Sequence, residues 1–181
     1  VGRSKGKFGG GKGSIWKQTQ KKTSEGSRIK FSAFAVVGDK NGYVGVGFGN
    51  SKETVPAREK SVRKAKLSII KIRRACGSWD CDCKTPHSIP FKVTGKCGSV
   101  EVTFMPAPRG TGLKADRKCR VMLRLAGIKD VYTKTKGKTS TKLNFFMASF
   151  YALKQLSKIK MKPEYVGEAG VVEGATTGNK T

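Results

Sequence analysis

Between Tyr43 and Gly49 the chain sets glycine at every second position: Gly45, Gly47 and Gly49, separated by Val46 and Phe48. Successive side chains of a strand point to opposite faces, so such a strand has one ordinary face and one of bare backbone. A bare face lets something bulky reach the main chain, and the sequence alone suggests RNA or a neighbouring protein. A dinucleotide fingerprint is excluded, because Gly45-x-Gly47-x-x is followed by Asn50 where a third glycine belongs. Upstream, Ile29, Phe31, Ala33, Ala35 and Val37 alternate with Arg28, Lys30, Ser32 and Phe34, the pattern of a half-buried strand. Asp39-Lys40-Asn41-Gly42 supplies the turn between the two strands. Residues 53–70 read as a helix, with Val55, Val62, Ala65 and Ile69 on one side and Lys60, Arg63, Lys64 and Lys71 gathered on another. Pro56 fits its first turn, where a missing N–H costs nothing.

Charge decides what such a unit can bind. The 38 Lys+Arg stand against 12 Asp+Glu, a net charge of +26. Self-repulsion at that level weakens a compact state unless a polyanion neutralises it, and nucleic acid also repays each neutralised phosphate with a released counterion. Hydrophobic residues are 36% of the chain; with 23 glycines added, the apolar share is enough for folded cores surrounded by loops. A membrane is disfavoured: no basic amphipathic stretch carries an aromatic or leucine face, and the longest apolar runs, such as Ala33 to Val37, fall far short of the roughly 20 residues of a span. The start is charged from Arg3 onward and lacks the apolar segment of a secretory signal, and its first residue, Val1, suggests processing or trimming. An odd count of 5 cysteines, mostly clustered, suits a reduced, cytoplasmic protein.

The pattern divides into a basic Gly-rich arm (1–26), the first unit (27–74), a Cys-rich linker (75–87), a second unit (88–160) and a tail (161–181) without periodicity. Lys21, Lys22 and the other arm cations are opposed only by Glu25. The arm is expected to order against phosphates rather than alone. Its Gly6-x-x-x-x-Gly11-Lys12 falls short of a P-loop, since Gly13 stands where Ser or Thr must reach Mg2+ and no strand can precede it. In the second unit Ile89, Phe91 and Val93, then Val100, Val102 and Phe104, alternate about a turn at Gly95-Lys96-Cys97-Gly98. Pro106–Gly112 is a stiff loop that sets backbone amides beside Arg109. Asp116 caps a helix stopped by Gly127; a strand follows over Lys129–Lys136, and a cap at Thr139 or Ser140 opens a largely buried last helix. The fold class is α+β, with two small domains.

Cys76-x4-Cys81-x-Cys83-x3-His87 offers three thiolates and an imidazole, a donor set for a tetrahedral structural Zn2+; unligated thiols or a disulfide are the other readings. Cys97 and Cys119 read as core or strand residues. One histidine and few acids give no activated nucleophile, so an enzyme is not expected.

The run from Gly26 to Gly49, with Arg28, Phe31, Phe34, Gly38-Asp39, Gly42 and the alternating glycines, followed by Lys52-Glu53 and the basic helix, resembles the fifth small-subunit ribosomal protein family. Gly95-Lys-Cys97-Gly98, Pro106-Ala-Pro108-Arg-Gly110-Thr-Gly112 and Leu125-Ala-Gly127-Ile-Lys-Asp130 extend the resemblance over roughly residues 24–158. Cys76-Gly-Ser-Trp79-Asp-Cys81 and Pro86-His87-Ser-Ile-Pro90 look like its archaeal form. Eukaryotic members look to keep the Pro-His pair without the cysteines, which leaves His87 a role that needs no metal. The resemblance implies a first domain similar to a double-stranded-RNA-binding fold and a second β-α-β-α domain. It also implies small-subunit ribosomal RNA as partner, a place near messenger entrance and decoding, the fourth and eighth small-subunit proteins as neighbours, and support of translational accuracy and assembly. No cofactor is required for that role. The residues expected to touch RNA are Lys21, Lys22, Ser27, Arg28, Lys30, Lys60, Arg63, Lys64 and Arg109, with phosphates giving affinity and RNA shape giving specificity. A free double-stranded-RNA-binding regulator and a zinc-dependent enzyme are the competing classes.

Overall fold

In the computed structural model, which describes residues 17–81 and 83–175, the first sheet starts inside the stretch expected to be an arm. Lys17–Thr23 (β1) pairs antiparallel with Gly26–Gly38 (β2) across a turn at Ser24-Glu25. Its side chains are nearly all exposed. Main-chain pairing, not apolar burial, forms this edge strand, and a reading based on polarity cannot see it. Gly6–Gly13 lies outside the described residues. Tyr43–Ser51 (β3), Thr54–Leu67 (α1) and Ile70–Lys71 (β4) complete the unit, with strands in the order β1-β2-β3-β4.

The bare face of β3 is filled by the chain's own helix, not by RNA. A Cβ added at Gly45 would lie 2.1 Å from Ala65 O, at Gly47 2.1 Å from Ser61 O, and at Gly49 2.5 Å from Ala57 O. That proximity decides which side of α1 is buried. Only Ala57, Ser61 and Ala65, one i, i+4 row of small residues, fit the space. The expected stripe is right at Ala65, which is buried, but wrong at its ends: Val55 is 60% exposed, and Ile69 lies past the helix end and is exposed too.

Arg73–Arg74 (β5) leads into the second unit. There Val93–Cys97 (β6), Val100–Pro106 (β7), Leu113–Lys114 (β8), Arg117–Leu125 (α2), Val131–Lys136 (β9) and Lys142–Lys158 (α3) form a sheet of order β6-β7-β9-β8. The β8–β9 pair is parallel and the others antiparallel. Asp116 does cap α2, accepting from Lys118 N at 3.2 Å. Gly127 stops it at φ +78°, with Ile128 N donating to Leu123 O. The hairpin turn falls at Gly98-Ser99, later than expected. Gly95 belongs to β6, where a Cβ would lie 2.2 Å from Ala148 O of α3, repeating the arrangement of β3 and α1. The N-cap of α3 is Thr141, not Thr139 or Ser140.

The two units share one core. The outer face of β2–β3, carrying Phe34, Val36, Val44 and Val46, packs with Ile72 on the second unit, and Phe34 meets Phe146 at a ring separation of 4.9 Å. Lys40 N donates to Leu125 O at 2.9 Å and Gly42 N to Ala126 O at 3.1 Å, tying the β2–β3 turn to the end of α2.

The stretch read as a tail folds back over this seam as far as it is described. Pro163–Glu168 (α4) is followed by Val172–Glu173 (β10), which pairs with β5. Tyr165 donates to Pro90 O, Cys76 N donates to Ala169 O at 3.0 Å, and Arg73 meets Glu173 at 3.1 Å. Single-residue contacts of this kind leave no periodicity to read. Arg74, buried under the segment, donates through Nη2 to Asn41 Oδ1 (2.8 Å) and Gly174 O (2.9 Å). Burial lowers its pKa from the usual arginine value, with Asp39 opposing the shift. No described helix is long and apolar enough to cross a membrane.

Candidate nucleic-acid interface and metal centre

Register sorts the expected RNA contacts on the β1–β2 hairpin. Lys21 sits opposite Arg28, Thr19 opposite Lys30 and Lys17 opposite Ser32, so Lys17, Lys21, Arg28 and Lys30 share one face. Lys22 and Ser27, also paired, lie on the other face. All of these side chains are exposed except that of Ser32. Arg28 is engaged already: its Nη2 lies 2.7 Å from Glu25 Oε2, although both side chains remain mostly in water. On α1, Lys60, Arg63 and Lys64 are exposed at i, i+3 and i+4, off the row that meets β3. Lys21, Lys22, Lys30, Lys60, Arg63 and Lys64 form no ion pair among the described residues. Arg109 is exposed on the loop between β7 and β8, far from the hairpin in sequence.

The cysteine cluster closes on itself. Cys76 Sγ, Cys81 Sγ, Cys83 Sγ and one imidazole nitrogen of His87 all lie within 4.8 Å of one another. Cys81 Sγ and His87 Nε2 are 3.8 Å apart, close to the roughly 3.6 Å edge of a tetrahedral site with the usual Zn–S and Zn–N distances. All described cysteines are free thiols. Burial pushes the Cys76 thiol up to about 11, while hydrogen bonds from the Thr85 hydroxyl and amide draw Cys83 down to about 6. His87 and Asp130 are buried together, with Nδ1 and Oδ2 2.8 Å apart. Such a carboxylate on the far nitrogen is the usual support of a metal-binding histidine, and the donor set fits Zn2+. Cys119 stands apart: it donates to Ser149 Oγ at 3.3 Å, and burial pushes its thiol up to about 12.

Two family models match this chain, "Ribosomal protein S5, N-terminal domain" over residues 15–73 and "Ribosomal protein S5, C-terminal domain" over 95–165. The small ribosomal subunit protein uS5 of Nanoarchaeum equitans is 49% identical over 160 residues, covering 88% of this chain and 69% of its own. Its counterpart in Methanocaldococcus jannaschii is 50% identical over 158 residues, covering 87% and 73%. The Pyrobaculum calidifontis uS5 is 54% identical over 142 residues, covering 78% and 70%. The chain belongs to the ribosomal protein S5 family.

In S5 terms the hairpin and α1 lie in the N-terminal domain and the Arg109 loop in the C-terminal one. Cys76, Cys81, Cys83 and His87 occupy the stretch between the two matched segments. Two residues escaped the sequence reading. Lys17 joins the Lys21–Arg28–Lys30 face, and its i, i+2 alternation with Thr19 and Lys21 was the available signal. Asp130 had none, because nothing in a linear pattern links it to His87.

Proposed function

We propose that this chain is a structural, non-catalytic constituent of the small ribosomal subunit, binding its ribosomal RNA near messenger entrance and decoding. In this reading it supports assembly and accuracy beside the fourth and eighth small-subunit proteins. The observation that carries the RNA contact is the single hairpin face on which Lys17, Lys21, Arg28 and Lys30 converge, with Glu25 the only acidic residue of the β1–β2 hairpin. A row of cations at strand spacing suits a run of phosphates, and Lys60, Arg63 and Lys64 would take a second backbone segment. Lys22, Ser27 and Arg109 are assigned to further contacts. Cys76, Cys81, Cys83 and His87 are assigned to a structural Zn2+, which would contribute folding energy and no reaction step.

Two measurements test this. Sedimentation of a native lysate should carry the protein with the small subunit through moderate salt; recovery at the top of the gradient would favour the free regulator. Binding of the purified chain to small-subunit RNA should weaken as salt rises. Lys21→Ala and Lys30→Ala should each lower the slope of log affinity against log salt by about 1. Unchanged slopes would remove the hairpin from the interface.

A further inference from the structure

We propose that Asp130 is the positioning residue of the metal centre, and that through it the bound ion sets the loop carrying Arg109. The inference rests on the zinc assignment above. A carboxylate can only accept, so the 2.8 Å contact with Asp130 Oδ2 requires the proton of a neutral His87 to sit on Nδ1. That leaves the lone pair of Nε2 facing Cys81 Sγ, 3.8 Å away, as a ligand must. The other oxygen of the same carboxylate, Oδ1, accepts from Gly112 N at 2.7 Å. One side chain therefore touches both the ligand and the loop.

The rest of the loop is fastened to the same place. Ala107 N donates to Ser88 Oγ at 3.2 Å, and Ser88 directly follows His87. Val131 N donates to Gly112 O at 3.2 Å, and the amides of Lys129 and Asp130 both donate to His87 O, at 2.8 and 3.1 Å. The two ends of Pro106–Gly112 thus hang on Ser88, which follows His87, and on Asp130 and its neighbour Val131. Between the ends the loop is open: a Cβ at Gly110 (φ +89°) would meet nothing within 4 Å. Arg109 sits at this exposed part, so its position depends on the anchors. With an ion on Nε2 the imidazole is fixed from both sides; without one, only the Asp130 hydrogen bond and the long, weak 3.8 Å contact with Cys81 Sγ hold it.

Asparagine at 130 cannot do both tasks. If its oxygen serves Gly112 N–H, its amino group faces Nδ1, forces the proton onto Nε2 and blocks ligation; if it turns over, Gly112 is abandoned. The test uses the free full chain with zinc as the probe. Competition against a chromogenic chelator should give a zinc affinity about 10–100-fold weaker for Asp130→Asn than for the unsubstituted protein. Independently, in the unsubstituted protein, trypsin should cut after Arg109 several-fold faster without zinc than with it, while cutting after Lys22 in the hairpin stays constant. An unsubstituted protein that binds no zinc overturns the metal assignment, and this inference with it. Zinc binding of equal strength in Asp130→Asn, or cleavage after Arg109 indifferent to zinc, overturns the coupling and leaves the metal assignment standing.

Discussion

Gly47→Ala puts the packing of α1 on β3 to a direct test. The new methyl would lie 2.1 Å from Ser61 O and 2.3 Å from Ala65 N, both main-chain atoms that no rotamer change can move. Ordinary carbon contacts lie near 3.5–4.0 Å, so the helix must withdraw by about 1 Å or more. Withdrawal opens gaps beneath Ala57, Ser61 and Ala65, and a gap of that size forfeits a quarter to a half of each lost contact. Overpacking of this kind costs about 1–3 kcal/mol. Replacing glycine also narrows the unfolded ensemble, a gain of about 0.4–1 kcal/mol, which offsets only part of the loss. The middle of these ranges leaves a net loss of about 1.3 kcal/mol, a fall in Tm of about 3–5 °C for a chain of this size. Gly167→Ala is the matched control: it lies in α4 with nothing within 4 Å of its Cβ and should be neutral or slightly stabilising. The assay is urea unfolding of the full chain by far-ultraviolet circular dichroism, at enough salt to screen self-repulsion, with the m-value compared. A Gly47→Ala protein as stable as Gly167→Ala would refute the claim that backbone contact with α1 is why glycine occupies β3.

Two further predictions concern buried groups. Cys119 has its thiol raised from 9.0 to about 12 by burial, so between those values the native state keeps a proton that the unfolded chain has lost. Stability therefore falls as pH rises through that window, by up to about 1.4 kcal/mol per pH unit. Cys119→Ala should be less stable at neutral pH but show a flatter alkaline limb in denaturant titrations; parallel limbs would show that Cys119 does not titrate as described. Arg74→Met should cost about 1–3 kcal/mol by leaving Asn41 Oδ1 and Gly174 O without its guanidinium, and should speed amide exchange at Gly174, whose N–H donates to Ile72 O. Unchanged exchange there would mean that Arg74 does not hold the C-terminal segment.

Legibility followed the range of each interaction. Asp116 and Gly127 were readable because a cap and a helix stop act within a few residues of themselves. Gly95 was misread as part of a turn because its reason for being glycine, the backbone of α3, lies about fifty residues away in sequence. The metal-ligand candidates were readable from spacing, since Cys76, Cys81, Cys83 and His87 fall within one short stretch. Their support by Asp130 was not, because that residue lies 43 positions beyond His87, just before β9. On the hairpin the basic residue types were evident, but their division between faces needed the β1–β2 register.

What the sequence determined by itself was the chemistry on offer: a net charge of +26, a donor set for one metal ion, two alternating β patterns each followed by a helix, and a family resemblance carried by glycines. These are properties of composition and local period, which no partner is needed to define. Only the tertiary structure decided that the glycine face of β3 is occupied from within, that residues 163–175 close over the domain seam, and that Asp130 links His87 to the Arg109 loop. Each of those depends on which distant atoms come within contact range, and short-range packing and hydrogen bonds have no signature in the sequence until the chain has brought their partners together.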